Sequence, residues 1–495
     1  MPPCLCSFNP PPSPSISSFI SSPAHTATLN LNLPLRDLSK IHGHLIKTGL
    51  IHHHPIAASR LIRAYSRTPL PHLAIHLFVQ LLLAGAASAR PDRLPYPSLF
   101  SAYSHSAPPH GGAQLHATVL KLGFSSDPFT RNSVIHMYAN SGLFDSAWKI
   151  FYQDSNNVVA CNSMIFSLAK RGRIDESWKL FCNMPCRNEV SWNTMITSFV
   201  RNGMWIEALD LFRRMQNEDI TVSEHTLVSA LHACAKLGAF EQGKWIHRYI
   251  ERNSVESNVI LATAIIDMYS KCGDIDGARR AFASVPRKDK GLSCWNSMVL
   301  GFATNGCESE AFDLFSDLES CFQPDSVSFV AVLTASNHAG RVDKAKAYFC
   351  LMTETYKIEP TIQHYGCMVD ALGRAGLIRE AEEFVRAMPV IPDEAVWGSL
   401  LSAACKSHEN IDVAEWAAQN LIRLNPDETS AHVLISRAHT LSGDFETALR
   451  KRMTMERAKK QPGCSLIEVN GEVHEFVSGG IVSPENKGKI DTIYF

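Results

Sequence analysis

The sequence has no excess of charge of either sign. Lys and Arg total 47, Asp and Glu total 48, and the net charge is −1 over 495 residues. That balance excludes a chain that holds polyanions by bulk charge, but leaves room for a basic groove offset by acids elsewhere. Long apolar runs are also lacking. One uncharged stretch, Thr68 to Ala89, is interrupted by Pro69, Pro71, His72, His76 and Gln80. Its apolar part, Leu77 to Ala87, falls well short of the roughly 20 residues a bilayer requires, so a buried helix is expected there and no membrane partner. The 14 cysteines are scattered. Cys161, Cys234, Cys272, Cys294, Cys367 and Cys405 lie inside helical apolar patterns and read as small buried hydrophobes of a reducing compartment. The first 35 residues contain no Asp, Glu, Lys or Arg and are rich in Pro and Ser (Ser15, Ser17, Ser18, Ser21, Ser22). No core can be built from them. They read as an organelle transit peptide, and the missing Arg favours a plastid type over a mitochondrial one.

The chain is longer than one core usually supports, so several domains or a repeat array are expected. One column settles which. A glycine is followed five residues later by a small residue at Gly142/Ala147, Gly172/Ser177, Gly203/Ala208, Gly238/Gly243, Gly273/Ala278, Gly306/Ala311, Gly340/Ala345, Gly376/Ala381 and Gly443/Ala448, and Glu409/Ala414 fills the one vacancy. Subtraction of neighbouring positions gives steps of 30 to 36 residues. Residues 189–223 show the physics of one unit. Trp192, Met195, Ile196 and Phe199 recur at helical spacing, Gly203 supplies the permissive backbone where that helix stops, and Ala208, Leu211, Phe212 and Met215 form a second apolar face. Ala208 is small because the two helices approach closely there. Two short helices cannot bury their faces alone, so neighbours must stack. The expected fold is all-α, a right-handed α-solenoid of tandem helix-turn-helix units over residues 93–460.

A period near 34 also suits tetratricopeptide repeats, but their W-x2-L-G-x2-Y opening and closing Pro do not recur here. First helices instead open Cys161-Asn162-Ser163-Met164-Ile165, Trp192-Asn193-Thr194-Met195-Ile196 and Trp295-Asn296-Ser297-Met298-Val299. With lengths near 31, 35 and 36 in rotation, these features resemble the plant pentatricopeptide repeat (PPR) family, in the class that alternates P, L and S repeats. Residues 93–127, 224–258 and 326–361 resemble L repeats. Residues 128–157, 158–188, 259–291 and 362–393 resemble S or short repeats, and 189–223 and 292–325 resemble P. The segment opening Val396-Trp397-Gly398-Ser399-Leu400-Leu401 resembles the E domain (394–463). The run Ile467-Glu468-Val469 through Val473-His474-Glu475-Phe476 resembles the E-plus extension (464–480), followed by a tail, 481–495. Ile467, Val469, Val473 and Phe476 flank Asn470-Gly471, which predicts a short hairpin. Residues 36–92 read as degenerate repeats, since Pro55 to Asp92 begins like S and ends like P; no base-reading residue is assigned there.

The resemblance implies sequence-specific binding of single-stranded organellar RNA, one base per repeat, read by a residue near the start of the first helix and by the last residue of the repeat. The carried-over pairs are Asn132/Asn157, Asn162/Asn188, Asn193/Ser223, Thr263/Asp289 and Asn296/Asp325, with Asp393 closing the last S-type repeat at Gly366. In the family, Asn with Asn or Ser prefers C, Thr with Asp prefers G, and Asn with Asp prefers U. Lys290 or Gly291 could close the repeat in place of Asp289. The competing reading is that these residues are ordinary helix caps; it is disfavoured because the Asn recurs at a repeat-locked position rather than at each helix start. L-type repeats place Val228 and Val330 at the reading position, where no hydrogen bond is available.

The E-type C-terminus implies cytidine-to-uridine RNA editing. A nucleobase deaminase needs H-x-E and C-x-x-C. Neither occurs: His408-Glu409 and His474-Glu475 are adjacent pairs, Cys4/Cys6 is too close, and Cys182/Cys186 is one residue too long. His52, His53 and His54 read as a loop before a helix rather than a metal site. The expectation is therefore a recognition factor, not itself an enzyme, with no metal or cofactor, that brings a deaminase in trans through its E and E-plus segments. It would work in the chloroplast, with the mitochondrion as the alternative. The other reading is an organellar RNA stability, cleavage or splicing factor with no part in deamination.

Overall fold

The computed structural model describes residues 34–477 other than 50, 52–54, 84–94, 107–108, 219, 254, 256–257, 407–409, 427–428, 456–463 and 470–471. The transit-peptide expectation, the three-histidine run and the C-terminal tail lie outside the described residues. The chain divides into two compact units, Met1–Asn202 and Gly203–Phe495. Each is a stack of antiparallel helix pairs, the all-α solenoid architecture expected.

In the first unit, Leu35–Lys47 is followed by Pro55–Tyr65 and His72–Leu83, then by the pairs Pro95–Ser106 with Pro109–Lys121, Phe144–Phe151 after Pro128–Asn140, and Ile174–Cys182 after Val158–Lys170. Glu189–Arg201 closes the unit. The irregular segment after Pro55 thus carries a single described helix pair, and the uncharged stretch forms the 12-residue helix His72–Leu83. No helix among the described residues is long and apolar enough to cross a membrane.

The second unit runs from Trp205–Asn217 through the pairs beginning at Glu224, Val259, Leu292, Ser326, Ile362, Glu394 and Ser430, and ends in two strands. One connection departs from regularity. The helix Val342–Cys350 runs on into a π-helical turn, Leu351–Thr355, which takes up extra length in the longest repeat. Strands β1 (Cys464–Val469) and β2 (Glu472–Val477) pair antiparallel, with Val469 opposite Glu472, as the Asn-Gly signal predicts.

The glycine column has a conformational cause. Gly142, Gly172, Gly203, Gly238, Gly273, Gly306, Gly340, Gly376 and Gly443 all have φ between +63° and +85°. At Gly273 an added Cβ would meet nothing within 4 Å, so the requirement is the left-handed backbone, not space. That backbone lets the residue after the glycine donate its N–H five residues back, as Asp274 does to the Tyr269 carbonyl at 3.0 Å, closing the first helix. The small residue five positions later answers to packing. Ala147, Ala208, Ala278, Ala311, Ala345, Ala381 and Ala414 are wholly buried, and a Cβ on Gly243 would lie 2.4 Å from the Met268 sulfur of the next repeat.

The six cysteines sort as small core residues. Cys161, Cys234, Cys294 and Cys405 are buried, Cys272 and Cys367 half-buried, and none of the described cysteines is in a disulfide. Burial pushes the Cys161, Cys272 and Cys405 thiols up to about 11, which keeps them protonated and unreactive.

Candidate nucleic-acid interface

The first helix of each repeat starts where the previous repeat ends, and that junction positions the candidate residues. Asn157 accepts hydrogen bonds at Oδ1 from the Val159 and Ala160 N–H groups, at 3.0 and 3.2 Å. Asn188 accepts from Ser191 N–H at 3.0 Å within a capping box, and the Ser223 hydroxyl from Thr226 N–H at 3.4 Å. Asp325 accepts from Ser328 N–H at 2.9 Å, again in a capping box, and Asp393 from Val396 N–H at 3.0 Å. The last residue of these repeats is therefore the N-cap of the next first helix. Capping, disfavoured on the sequence pattern, thus does apply to the repeat-closing residues, whereas Asn132, Asn162, Asn193 and Asn296 are each the fifth residue of their helix and are not caps.

Capping does not exhaust these side chains. Asn spends Oδ1 on the helix and retains an NH2 donor; Asp spends one carboxylate oxygen and retains an acceptor. The reading residues approach the caps from the preceding helix. Asn162 Nδ2 lies 3.5 Å from Asn188 Oδ1, and Asn296 Nδ2 donates to Asp325 Oδ1 at 3.0 Å. Asn296 is the most enclosed member, since its Oδ1 also accepts from the Ser328 hydroxyl at 2.7 Å. Asn132 and Asn162 each hold a buried Oδ1 with no hydrogen-bond partner among the described residues. Asn132 and Asn157 share no direct bond here. Asn193 and Ser223 belong to different units, each at its expected local position.

Thr263 and Asp289 are not brought together. Asp289 ends a 3-10 turn, Arg287–Asp289, and the cap of the next helix is Gly291, which has no side chain to offer. Thr263 Oγ1 instead donates to the Val259 carbonyl at 2.6 Å and lies 3.1 Å from Ser293 Oγ. Two extra residues in the connection displace Asp289 from the place its counterparts occupy. In the L-type repeats Val228 and Val330 are half-buried at the reading position.

Sequence reasoning overlooked a second row. Phe129, Val159, Val190, Ile260 and Val327, each three residues before a reading position, are between 55% and 76% exposed. One exposed apolar residue is unremarkable. Five at one register of the repeat make rungs against which flat apolar rings can stack. The signal was an apolar residue recurring at the second position of the first helix. At the far end of the first helices, Lys170, Arg201, Lys236, Lys271 and Arg374 stand exposed in the last turn. They complement the helix dipole, and Lys271 and Arg374 also pair with Asp267 and Asp370 of their own helices at 2.7 and 2.9 Å. The second helices open with acids, among them Asp145, Glu207, Asp343, Glu380 and Asp412. No group of three or more His, Cys, Asp or Glu side chains is placed to share a metal ion among the described residues.

The repeat pattern is matched by known families. The signature described as PPR repeat covers residues 129–153, 159–188, 261–289, 293–321 and 364–390, that of the PPR repeat family covers 187–236, and the E motif covers 408–468. A chloroplastic pentatricopeptide repeat-containing protein of Arabidopsis thaliana is 45% identical over 91% of this chain and 86% of its own length. The chain belongs to the pentatricopeptide repeat family. A second Arabidopsis pentatricopeptide repeat-containing protein, named chloroplastic/mitochondrial, is 36% identical over 84% of this chain, which spans 62% of that relative. Among solved structures, that of the maize pentatricopeptide repeat protein PPR10 aligns with a TM-score of 0.38 at 18% identity, covering 85% of this chain and 76% of that one.

Proposed function

We propose that this PPR protein binds single-stranded organellar RNA base by base and selects sites for cytidine-to-uridine editing, with the deaminase supplied in trans. The observation that carries the reading is that a repeat-closing Asn or Asp caps the next helix with one polar atom and carries a second. A capping Asn keeps a donor, which suits the N3 acceptor of cytosine. A capping Asp keeps an acceptor, which suits the N3–H of uracil or the N1–H of guanine. The exposed Phe129, Val159, Val190, Ile260 and Val327 supply stacking rungs between these polar pairs, the combination single strands require. Read from 128–157 to 292–325 with the N-terminus toward the RNA 5′ end, the repeats specify C, C, C, any base, a fifth base and U. The fifth base, G on the Thr263/Asp289 pairing expected from the sequence, is left unspecified, because Gly291 and not Asp289 holds the cap position of the next helix. The edited cytidine would lie a few nucleotides 3′ of the base facing Gly366 and Asp393.

The E motif match at 408–468 and the hairpin at 464–477 support the editing role over RNA stability, cleavage or splicing. The chloroplastic relative and the acid-free N-terminal 35 residues support plastid import. Organelle transcripts from plants with and without the protein decide the matter. Loss of conversion at a cytidine preceded by the specified bases is expected. Unchanged editing with altered transcript ends or splicing would replace this reading with the alternative.

A further inference from the structure

The junction between residues 259–291 and 292–325 departs from the others in two ways. Its cap, Gly291, offers no side chain, and a Cβ there would lie 2.7 Å from Val259 Cγ1, closer than carbon atoms pack. Ser293 follows, three residues before Asn296. Phe129, Val159, Val190, Ile260 and Val327 hold that register in other repeats, so here an exposed hydroxyl stands in place of an apolar rung.

That hydroxyl meets the reading residue of the preceding repeat. Ser293 Oγ lies 3.1 Å from Thr263 Oγ1, as Asn188 Oδ1 lies 3.5 Å from Asn162 Nδ2 and Asp325 Oδ1 lies 3.0 Å from Asn296 Nδ2. In all three, a polar side chain at the next helix start closes on the reading residue. Where the cap has none to give, Ser293 takes its place.

The hydroxyl hydrogens fix the polarity of this pair. Thr263 has one, and the Val259 carbonyl at 2.6 Å, which can only accept, takes it. Cys294 Sγ, 3.1 Å from the same oxygen, is a weaker acceptor than that carbonyl. Thr263 Oγ1 is left with lone pairs, so in the 3.1 Å contact Ser293 is the donor. The chain runs from Ser293 to Thr263 to Val259, and the exposed Ser293 Oγ keeps acceptor capacity alone.

We infer that Ser293, oriented by Thr263, determines specificity for the fifth base, accepting a hydrogen bond from the ring N–H of a keto base, guanine N1–H or uracil N3–H. The inference rests on the base-by-base reading and deepens it at one repeat. Cytosine N3 and adenine N1 carry no hydrogen and would set lone pair against lone pair.

The test is equilibrium binding of the full-length chain to four RNAs that carry the specified bases and differ only at the fifth. G and U should bind about fivefold or more tighter than C and A. Ser293→Ala, at an exposed position, should level the four affinities while leaving the thermal unfolding midpoint and the preference for U at the sixth base unchanged. Thr263→Val keeps the shape of the side chain but frees the Ser293 hydrogen to turn outward. The preference should then move toward C and A, a reversal that lost packing alone would not give. Asp289→Ala should change nothing. A preference that survives Ser293→Ala, that stays unmoved in Thr263→Val, or that disappears with Asp289→Ala overturns the inference. So does an equal weakening of all four RNAs by Ser293→Ala with their ranking intact. Four equal affinities for the native chain beside a clear preference at the sixth base sink this inference alone. No preference at either base sinks the base-by-base reading as well.

Discussion

Asp325→Asn isolates reading from capping at one repeat. In the native pair one Asp325 oxygen accepts from Ser328 N–H at 2.9 Å and from Asn296 Nδ2 at 3.0 Å. An asparagine Oδ1 in the same place accepts both bonds, and Asn and Asp rank together as caps. The fold therefore loses only the extra attraction of a carboxylate for the helix N-terminus, about 0.3–1 kcal/mol. The outward group changes completely, from an acceptor to an NH2 donor. A uracil N3–H facing it loses its acceptor and meets a donor, while the cytosine N3 gains a partner. A well-made base contact discriminates by about 1–3 kcal/mol, or roughly 5- to 150-fold in affinity. Equilibrium binding to RNAs that differ only at the sixth reading position should show preference moving from U to C by that order, with the other positions unaltered. Asp325→Ala, which removes the cap as well, should lower stability by about 0.5–2 kcal/mol and weaken every RNA. If Asp325→Asn weakened all RNAs alike and left the ranking intact, Asp325 would be a cap and nothing more.

Three further outcomes have separate measurements. Asn193→Thr with Ser223→Asp should turn the third position from C toward G without changing its neighbours, measured on the same RNA panel, because repeats interact mainly with adjacent repeats. Burial lowers the pKa of His42, His116 and His247, each with Nδ1 3.0–3.2 Å from a tyrosine hydroxyl (Tyr65, Tyr138 and Tyr269), so the unfolded chain takes up protons first. Stability is then full above the ordinary histidine value of about 6.5 and falls as pH drops below it; urea midpoints between pH 7.5 and 5.5 should decline, and His247→Phe should flatten the slope. Glu468 of β1 accepts from the Glu241 and Gln242 N–H groups at 2.9 and 3.3 Å, at a helix start whose own N-cap, Ala239, has no polar side chain. Glu468→Ala should speed amide exchange at Glu241 and Gln242, and unchanged exchange there would mean that the hairpin does not rest on that helix.

The sequence by itself determined the fold and its period. The signals are local: a left-handed turn at Gly273 admits almost only glycine, two helices meeting at Ala278 admit only a small residue, and core spacing at Trp192, Met195 and Ile196 follows the helical pitch. The hairpin was legible for the same reason, through Asn470-Gly471. The residue types of the polar pairs were legible too, but not their division of labour. Whether Asn188 or Asp325 caps, reads or does both depends on which lone pair meets a backbone N–H in the next repeat, a fact of three-dimensional approach. Likewise, Asp289 and Gly291 compete for one place, and only the 3-10 turn after Pro286 decides for Gly291. Exposure is decided last of all. Phe144 and Phe445 occupy the same register, yet Phe144 is buried beneath Arg173 of the next repeat and Phe445 is 68% exposed, because cover is supplied by whatever stacks next and is not written in the residue or its neighbours.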